Sequence, residues 1–265
     1  EVQAATPWRA LAGFAGECFG PGTVGESVAA NSPGPDGRPV VAHLRSLTMV
    51  TADGELRRIS REQTPELFAL AVGGFGALGP FYSVTLELDS LARAAAGAVT
   101  AVRMALPQDD APGPRFAIEL LAPSESGAAL SGQVRAALEE NRCELTRLDA
   151  SRALRETETF LRWARCDCMI LRIEYRTRAT LGAHVAAAQL RTQLIDLALA
   201  AGGGFAPKDL EHASRAQAEA GYPMLGAFIA EKRRYDPAER VLNAWYRNAR
   251  RVWRSERCDV RWARG

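Results

Sequence analysis

The segment from Thr64 to Leu88 constrains the fold most, because it carries a dinucleotide-type glycine pattern between the wrong neighbours. Gly74-Phe75-Gly76-Ala77-Leu78-Gly79 matches the six-residue fingerprint literally. That fingerprint needs a strand before it and a helix after it, so that phosphate meets a helix N-terminus. Here the order is reversed. Thr64-Pro65-Glu66 opens a helix, with threonine as cap, proline at the first helical position and Glu66 near the positive end of the dipole, and Gly73-Gly74 closes it. Phe81 to Leu88 then alternates as a strand with Tyr82, Val84, Leu86 and Leu88 on one side. A Rossmann unit is excluded, although the glycines still let backbone approach a ligand closely.

Around this segment the chain reads as α+β. Ser46 to Ala52 and Glu55 to Ser60 flank Asp53-Gly54, which predicts a type I′ hairpin. From about Ala92 the character changes, with strands expected over Val99 to Leu106 and Phe116 to Leu121 around a Pro/Gly/Asp-rich loop at 107–114. A helix over 125–141, strands over 143–148 and 168–176, and a long helix over 180–201 closed by Gly202-Gly203-Gly204 complete the alternation. Ala238 to Glu256 predicts a docked helix, with Val241, Leu242, Trp245, Ala249, Val252 and Trp253 as its apolar stripe.

Charge and composition exclude several function classes. Residues 231–265 hold 11 Lys or Arg against 5 acids, a local +6 in a chain of net charge +2. The aromatics of this tail lie on the apolar stripe rather than among exposed arginines, which argues against nucleic-acid binding. With 47% hydrophobic residues over 265 positions the chain can bury a large core, yet no apolar run approaches a membrane helix. Glu1-Val2-Gln3-Ala4 does not look like a signal peptide, so a cytoplasmic protein is expected. Cys18, Cys143, Cys166, Cys168 and Cys258 form no Cys-x-x-Cys and have no histidine at ligand spacing, which gives reduced thiols and no metal site. Cys166 and Cys168 are expected buried on one face of a strand.

A second glycine cluster runs Pro21-Gly22-Thr23-Val24-Gly25-Glu26-Ser27-Val28-Ala29-Ala30-Asn31-Ser32-Pro33-Gly34. It is followed by His43-Leu44-Arg45-Ser46-Leu47, Val50-Thr51-Ala52-Asp53-Gly54-Glu55, Glu66-Leu67-Phe68 and the turn at 73–79, and preceded by Glu1-Val2-Gln3-Ala4 and Trp8-Arg9-Ala10-Leu11. Far downstream come Lys208-Asp209, Tyr222-Pro223, Phe228, Lys232 and Tyr235-Asp236-Pro237. In content and order these resemble the flavin-linked oxidoreductases of the vanillyl-alcohol oxidase / p-cresol methylhydroxylase superfamily, nearest to decaprenylphosphoryl-ribose oxidase-like members. The likeness covers about residues 1–90 and 203–247.

The resemblance implies FAD as cofactor. It implies a partial flavin-binding domain over residues 1–92, a substrate domain with an antiparallel sheet over 93–204, and a return to the flavin domain over 205–265. Thr23, Val24, Gly25, Ser27, Asn31, Gly34, Gly74, Gly76 and Gly79 would contact the cofactor. Lys208 would contact it too and act catalytically, its ammonium stabilising negative charge on the reduced ring. The substrate would be a small alcohol or sugar whose carbon-bound hydride passes to flavin N5. His43 is expected to be structural, and Asp236 to cap or turn the chain before the last helix.

The chain also departs from the family pattern. The glycine-rich amino-terminal subdomain of the family has no counterpart before Glu1, and 16–22 reads shorter than the family segment. Glu26 stands for a second glycine and Pro33 for a histidine. These departures leave two other readings open: an inactive partner-binding scaffold descended from such an enzyme, or one chain of a split flavoenzyme completed by a second polypeptide.

Overall fold

A computed structural model describes residues 1–15, 19, 22–98, 102–103 and 113–254. Cys18, Cys258, most of the segment 16–22, most of the expected strand at 99–106 and most of the loop at 107–114 lie outside the described residues. The elements run in chain order as β1 (Val2–Gln3), α1 (Ala12–Ala15), α2 (Val24–Ala30), β2 (Leu44–Val50), β3 (Leu56–Ser60), α3 (Pro65–Ala71), β4 (Phe81–Leu86), α4 (Leu88–Ala96) and β5 (Val102–Arg103). They continue with β6 (Arg115–Pro123), α5 (Gly127–Glu140), β7 (Glu144–Ala153), β8 (Cys168–Arg176), α6 (Leu181–Ala200), β9 (Gly204–Phe205), α7 (Arg215–Gly221), α8 (Leu225–Tyr235) and α9 (Ala244–Arg254). Short 3₁₀ turns occupy Trp8–Leu11, Val40–His43 and Pro207–His212.

The chain forms two compact units, and it passes between them more than once. The first comprises Glu1–Val99, Ala153–Arg165 and Met224–Arg251, the second Thr100–Arg152, Cys166–Pro223 and Val252–Gly265. Residues 205–223, Lys208 among them, group with the second unit, whereas the sequence division placed them with the returning tail.

In the first unit an antiparallel sheet of order β1-β4-β2-β3 carries the core residues Leu47, Met49, Ile59 and Val84. The β2–β3 hairpin forms with the pairing Val50↔Leu56, but its turn differs from type I′. Gly54 N donates to Thr51 O at 2.8 Å, and of Asp53 and Gly54 only the glycine has a positive φ, +87°. A type I′ turn needs both.

The segment 154–165, which has no helical or strand period, is tied into this unit one group at a time. Leu154 N donates to Gly37 O (2.7 Å), Phe160 N to Ala69 O (2.9 Å) and Trp163 Nε1 to Asn31 O (3.0 Å). Glu156 is buried and accepts from the amides of Glu158 and Thr159 at 2.8 and 3.0 Å, closing its own loop.

The second unit is a five-stranded antiparallel sheet of order β5-β7-β8-β6-β9. Along α6, Ala187, Leu190, Leu194, Ile195 and Ala198 are fully buried, one helical stripe. Thr180 caps its start by accepting from Ala183 N (3.2 Å). A Schellman pair, Gly203 N to Ala198 O and Gly202 N to Leu199 O, ends it. Gly203 has no room for a Cβ, which would run into the Leu121 carbonyl where β9 joins β6.

Several local expectations are corrected. The strand after the glycine turn stops at Leu86, and Leu88 starts α4, where Leu91 and Ala94 face the core. Leu88 itself is exposed. Thr64 occupies the cap position of α3, but its side chain makes no capping hydrogen bond. The last helix begins at Ala244 rather than Ala238, because Asn243 Oδ1 accepts from Tyr246 N (2.8 Å). Its buried stripe is Tyr246, Ala249 and Val252, with Leu242 left exposed. Cys166 precedes β8 and is exposed, whereas Cys168 is buried and its thiol is pushed up to about 12 by burial.

Candidate functional site

Two regions gather the residues that the sequence pointed to, one in each unit. In the first unit α2 is a capped, closed segment. Thr23 Oγ1 accepts from Glu26 N (3.2 Å) and Glu26 Oε2 accepts from Thr23 N (2.8 Å), a complete capping box. The Thr-x-x-Glu spacing was the available signal for it. Val24 is fully buried, and Gly25 N donates to Ala4 O at 2.8 Å. A Cβ on Gly25 would stand 2.9 Å from that same carbonyl oxygen, so this glycine answers to packing against Ala4, which follows β1. Ser27 is buried and its Oγ accepts from Trp8 Nε1 (2.9 Å).

Asn31 ends α2 in the left-handed region, φ 48°. It is fully buried, its Oδ1 accepts from Val41 N (3.1 Å), and its Nδ2 has no hydrogen-bond partner. Gly34 sits in a tight turn, with its N donating to Arg38 O at 2.7 Å.

The fold brings the two glycine clusters together. Gly73 N donates to Val28 O (3.0 Å) and Phe75 N to Ala29 O (2.9 Å), so the glycine turn is laced to the C-terminal end of α2. Within the turn the glycines differ in what they need. A Cβ at Gly74 would run into Leu70 O, and one at Gly79 into Val50 O. At Gly76, φ +69°, nothing lies closer than 3.9 Å, where Asn243 Nδ2 stands. Phe75 adopts φ 53°, stacks on Trp245 at 4.8 Å and accepts at its carbonyl from Asn243 Nδ2 (2.7 Å). Trp163, Trp245 and Asn243 thus border the motif from distant sequence; the helical stripe marks Trp245 as apolar but not as a neighbour of the motif, and no local pattern marks the other two.

In the second unit one face of the sheet carries helices and the other carries charge. Met169 packs on Gly127 of α5, and Tyr175 Oη donates to Ala187 O of α6 at 3.4 Å. The intervening residues point the other way. Arg172 Nε donates to Glu119 Oε1 (3.0 Å), its register partner on β6, and its NH1 to Ser151 Oγ (3.4 Å). Arg147 bonds Asp149 (2.7 Å) and Glu174 (3.3 Å). Lys208 Nζ lies 2.9 Å from Glu119 Oε1, so the residue singled out as catalytic belongs to this alternating array and is half-exposed.

Next to Lys208, Asp209 is buried and its Oδ2 accepts from Glu119 N at 3.0 Å. Burial pushes its carboxyl up to about 6, against the pull of the Glu119 amide and Lys208. A raised carboxyl stabilises the fold fully below about pH 4, and this contribution is lost as pH rises through about 6. Asp209→Asn keeps an acceptor for the amide without the charge. The variant should therefore match the wild type at pH 4 and exceed it by about 3 kcal/mol at pH 7 in urea unfolding. A stability difference that does not change between those pH values would refute this assignment.

His43 is fully buried and its Nδ1 lies 2.8 Å from Ser90 Oγ. Burial lowers its pKa although Asp36 opposes that, which favours the neutral ring. Among the described residues no group of His, Cys, Asp and Glu could hold a metal ion, and no helix is long and apolar enough to cross a membrane.

No protein-family model matches the chain, and no curated protein does. Solved structures do match. A variant of BBE-like 1 from Physcomitrella patens superposes with a TM-score of 0.56 over 91% of this chain and 74% of that one, at 11% identity. The fold is BBE-like. At this identity the match speaks for architecture, a mixed helix and antiparallel-sheet arrangement.

Proposed function

We propose that the chain is an FAD-dependent oxidoreductase that dehydrogenates an alcohol or sugar hydroxyl. The observation that carries this is the joining of the two glycine motifs, from residues 23–34 and 73–79, in a BBE-like fold. The residues there fit a bound flavin at two points. The Asn31 amide is a buried donor with no protein partner, suited to a ring carbonyl, and Gly76 offers an open backbone face. Thr23, Val24, Gly25, Ser27, Gly34, Gly74 and Gly79 would support these two by fixing the backbone. When bound, FAD supplies a two-electron acceptor for hydride.

The chain's own residues would do the rest. By the family resemblance Lys208 would stabilise negative charge on the reduced ring, and its ammonium is paired with Glu119 Oε1 at 2.9 Å. The array of Glu119, Arg147, Asp149, Ser151, Arg172 and Glu174 alternates donors and acceptors at close spacing. A polyhydroxylated molecule matches such a face, because every hydroxyl both donates and accepts.

One observation favours a second reading, an inactive scaffold. The Glu26 carboxylate occupies the start of α2, and Ser27 Oγ and Asn31 Oδ1 are already engaged within the protein. Titrating the purified chain with FAD while following quenching of flavin fluorescence separates the two. Micromolar or tighter binding is expected, with Lys208→Ala slowing flavin reduction by about 100-fold or more while changing affinity little. A folded circular-dichroism spectrum without any quenching would leave the scaffold and the split flavoenzyme.

A further inference from the structure

A cavity of about 560 Å³ lies in the first unit beside the edge strand β3 and the start of α3. Its volume falls in the range of small-molecule sites. Ile59 and Leu67, both buried, contribute its apolar lining, and Tyr235 adds an aromatic ring.

The polar groups around it are unequally satisfied. Arg57 is held by two carboxylates, Asp53 and Glu55 (3.1 Å), and Arg234, which stacks on the Tyr235 ring at 5.0 Å, is shared by Glu66 (3.2 Å) and Glu231 (2.7 Å). Arg58 has no carboxylate partner among the described residues. Its Nε and NH2 donate only to Ser46 Oγ, at 3.2 and 3.0 Å. The Thr64 hydroxyl, which the helix does not use as a cap, is buried with no partner. One uncompensated guanidinium and one idle hydroxyl thus share a cavity with an apolar lining and an aromatic ring.

We propose that this cavity binds a small organic anion, a carboxylate or phosphate group carried on a flat apolar body. The anion would accept hydrogen bonds from Arg58 and the Thr64 hydroxyl, interactions that a charged acceptor makes about twice as strong as neutral ones. The apolar body would cover Ile59, Leu67 and the Tyr235 ring. Among the described residues that line the cavity, Arg58 is the cation without a carboxylate partner, and it selects an anion over a neutral analogue of the same shape.

The full chain would be titrated with phenyl phosphate, benzoate and phenol by calorimetry, and by NMR for the amides of Thr64, Glu66 and Leu67. At least one of the two anions should bind saturably with one-to-one stoichiometry and shift those amides, while phenol does neither. Arg58→Gln, an exposed substitution, should weaken anion binding by about tenfold or more, and Thr64→Val by several-fold. The proposal fails if neither anion saturates up to about 10 mM, or if Arg58→Gln binds like the wild type.

Discussion

Asp236→Ala is expected to cost about 3–5 kcal/mol of folding stability, because it strands a buried ammonium. Lys232 and Asp236 are both almost completely buried, one helical turn apart, and form an ion pair at the end of α8. The remaining valences are filled by the protein. Asp236 accepts from the amides of Arg240 and Val241 at 2.9 Å each, and the Lys232 ammonium stands 5.0 Å from the centre of the Tyr246 ring. Removing the carboxylate leaves the lysine charged in the core and two amides without acceptors, whereas Lys232→Met/Asp236→Asn removes the charge and keeps an acceptor. The double variant should regain most of the loss.

The pair also sets an acid limit. Burial raises the Asp236 carboxyl, but the Lys232 hydrogen bond and the two amides outweigh it and leave the group below the ordinary range. The stability it contributes is present above about pH 4 and is lost as pH falls through the depressed value. The gap between wild type and Asp236→Ala in urea unfolding should therefore shrink at low pH. A single-variant loss below about 1 kcal/mol would show that the pair is not the anchor described here.

Gly79→Ala should be the second severe substitution, at about 3–5 kcal/mol. The position has φ +147°, and its Cβ would run into the Val50 carbonyl in β2. Neither can relax cheaply, because Val50 N is itself held by Pro80 O at 3.0 Å. Gly76→Ala meets open space and only the left-handed φ, so about 1 kcal/mol is expected. The contrast decides how to read glycine variants in a flavin titration. Loss of binding in Gly79→Ala would follow from unfolding, whereas loss in a folded Gly76→Ala would report on the site. Equal denaturation midpoints for the two variants would remove the basis of this distinction.

The candidate site was legible unevenly. The segment 23–34 and the turn at 73–79 stand out in sequence because glycine, proline and threonine act through local backbone geometry. That Gly25, Gly34, Gly74 and Gly79 serve the protein's own close packing is a tertiary fact. So is the charged sheet face, since Glu119 meets Arg172 only through the register of β6 on β8, and Lys208 reaches Glu119 from a 3₁₀ turn after β9. Trp163 and Trp245 were invisible as site neighbours, one in a segment without period and the other on a helix whose start was misplaced.

By itself the sequence determined the elements whose signals are short in range: the β2–β3 pairing around Gly54, the strand Cys168–Arg176, and α6 between Thr180 and Gly202. It also excluded a Rossmann turn, because helix and strand propensities on either side of the glycines are local. Only the tertiary structure decided where β4 stops and α4 begins, how 154–165 is bound into the first unit, and which charges remain without a partner. Those outcomes depend on which groups far apart in the chain satisfy one another's hydrogen bonds and charges, and no window of sequence contains both partners.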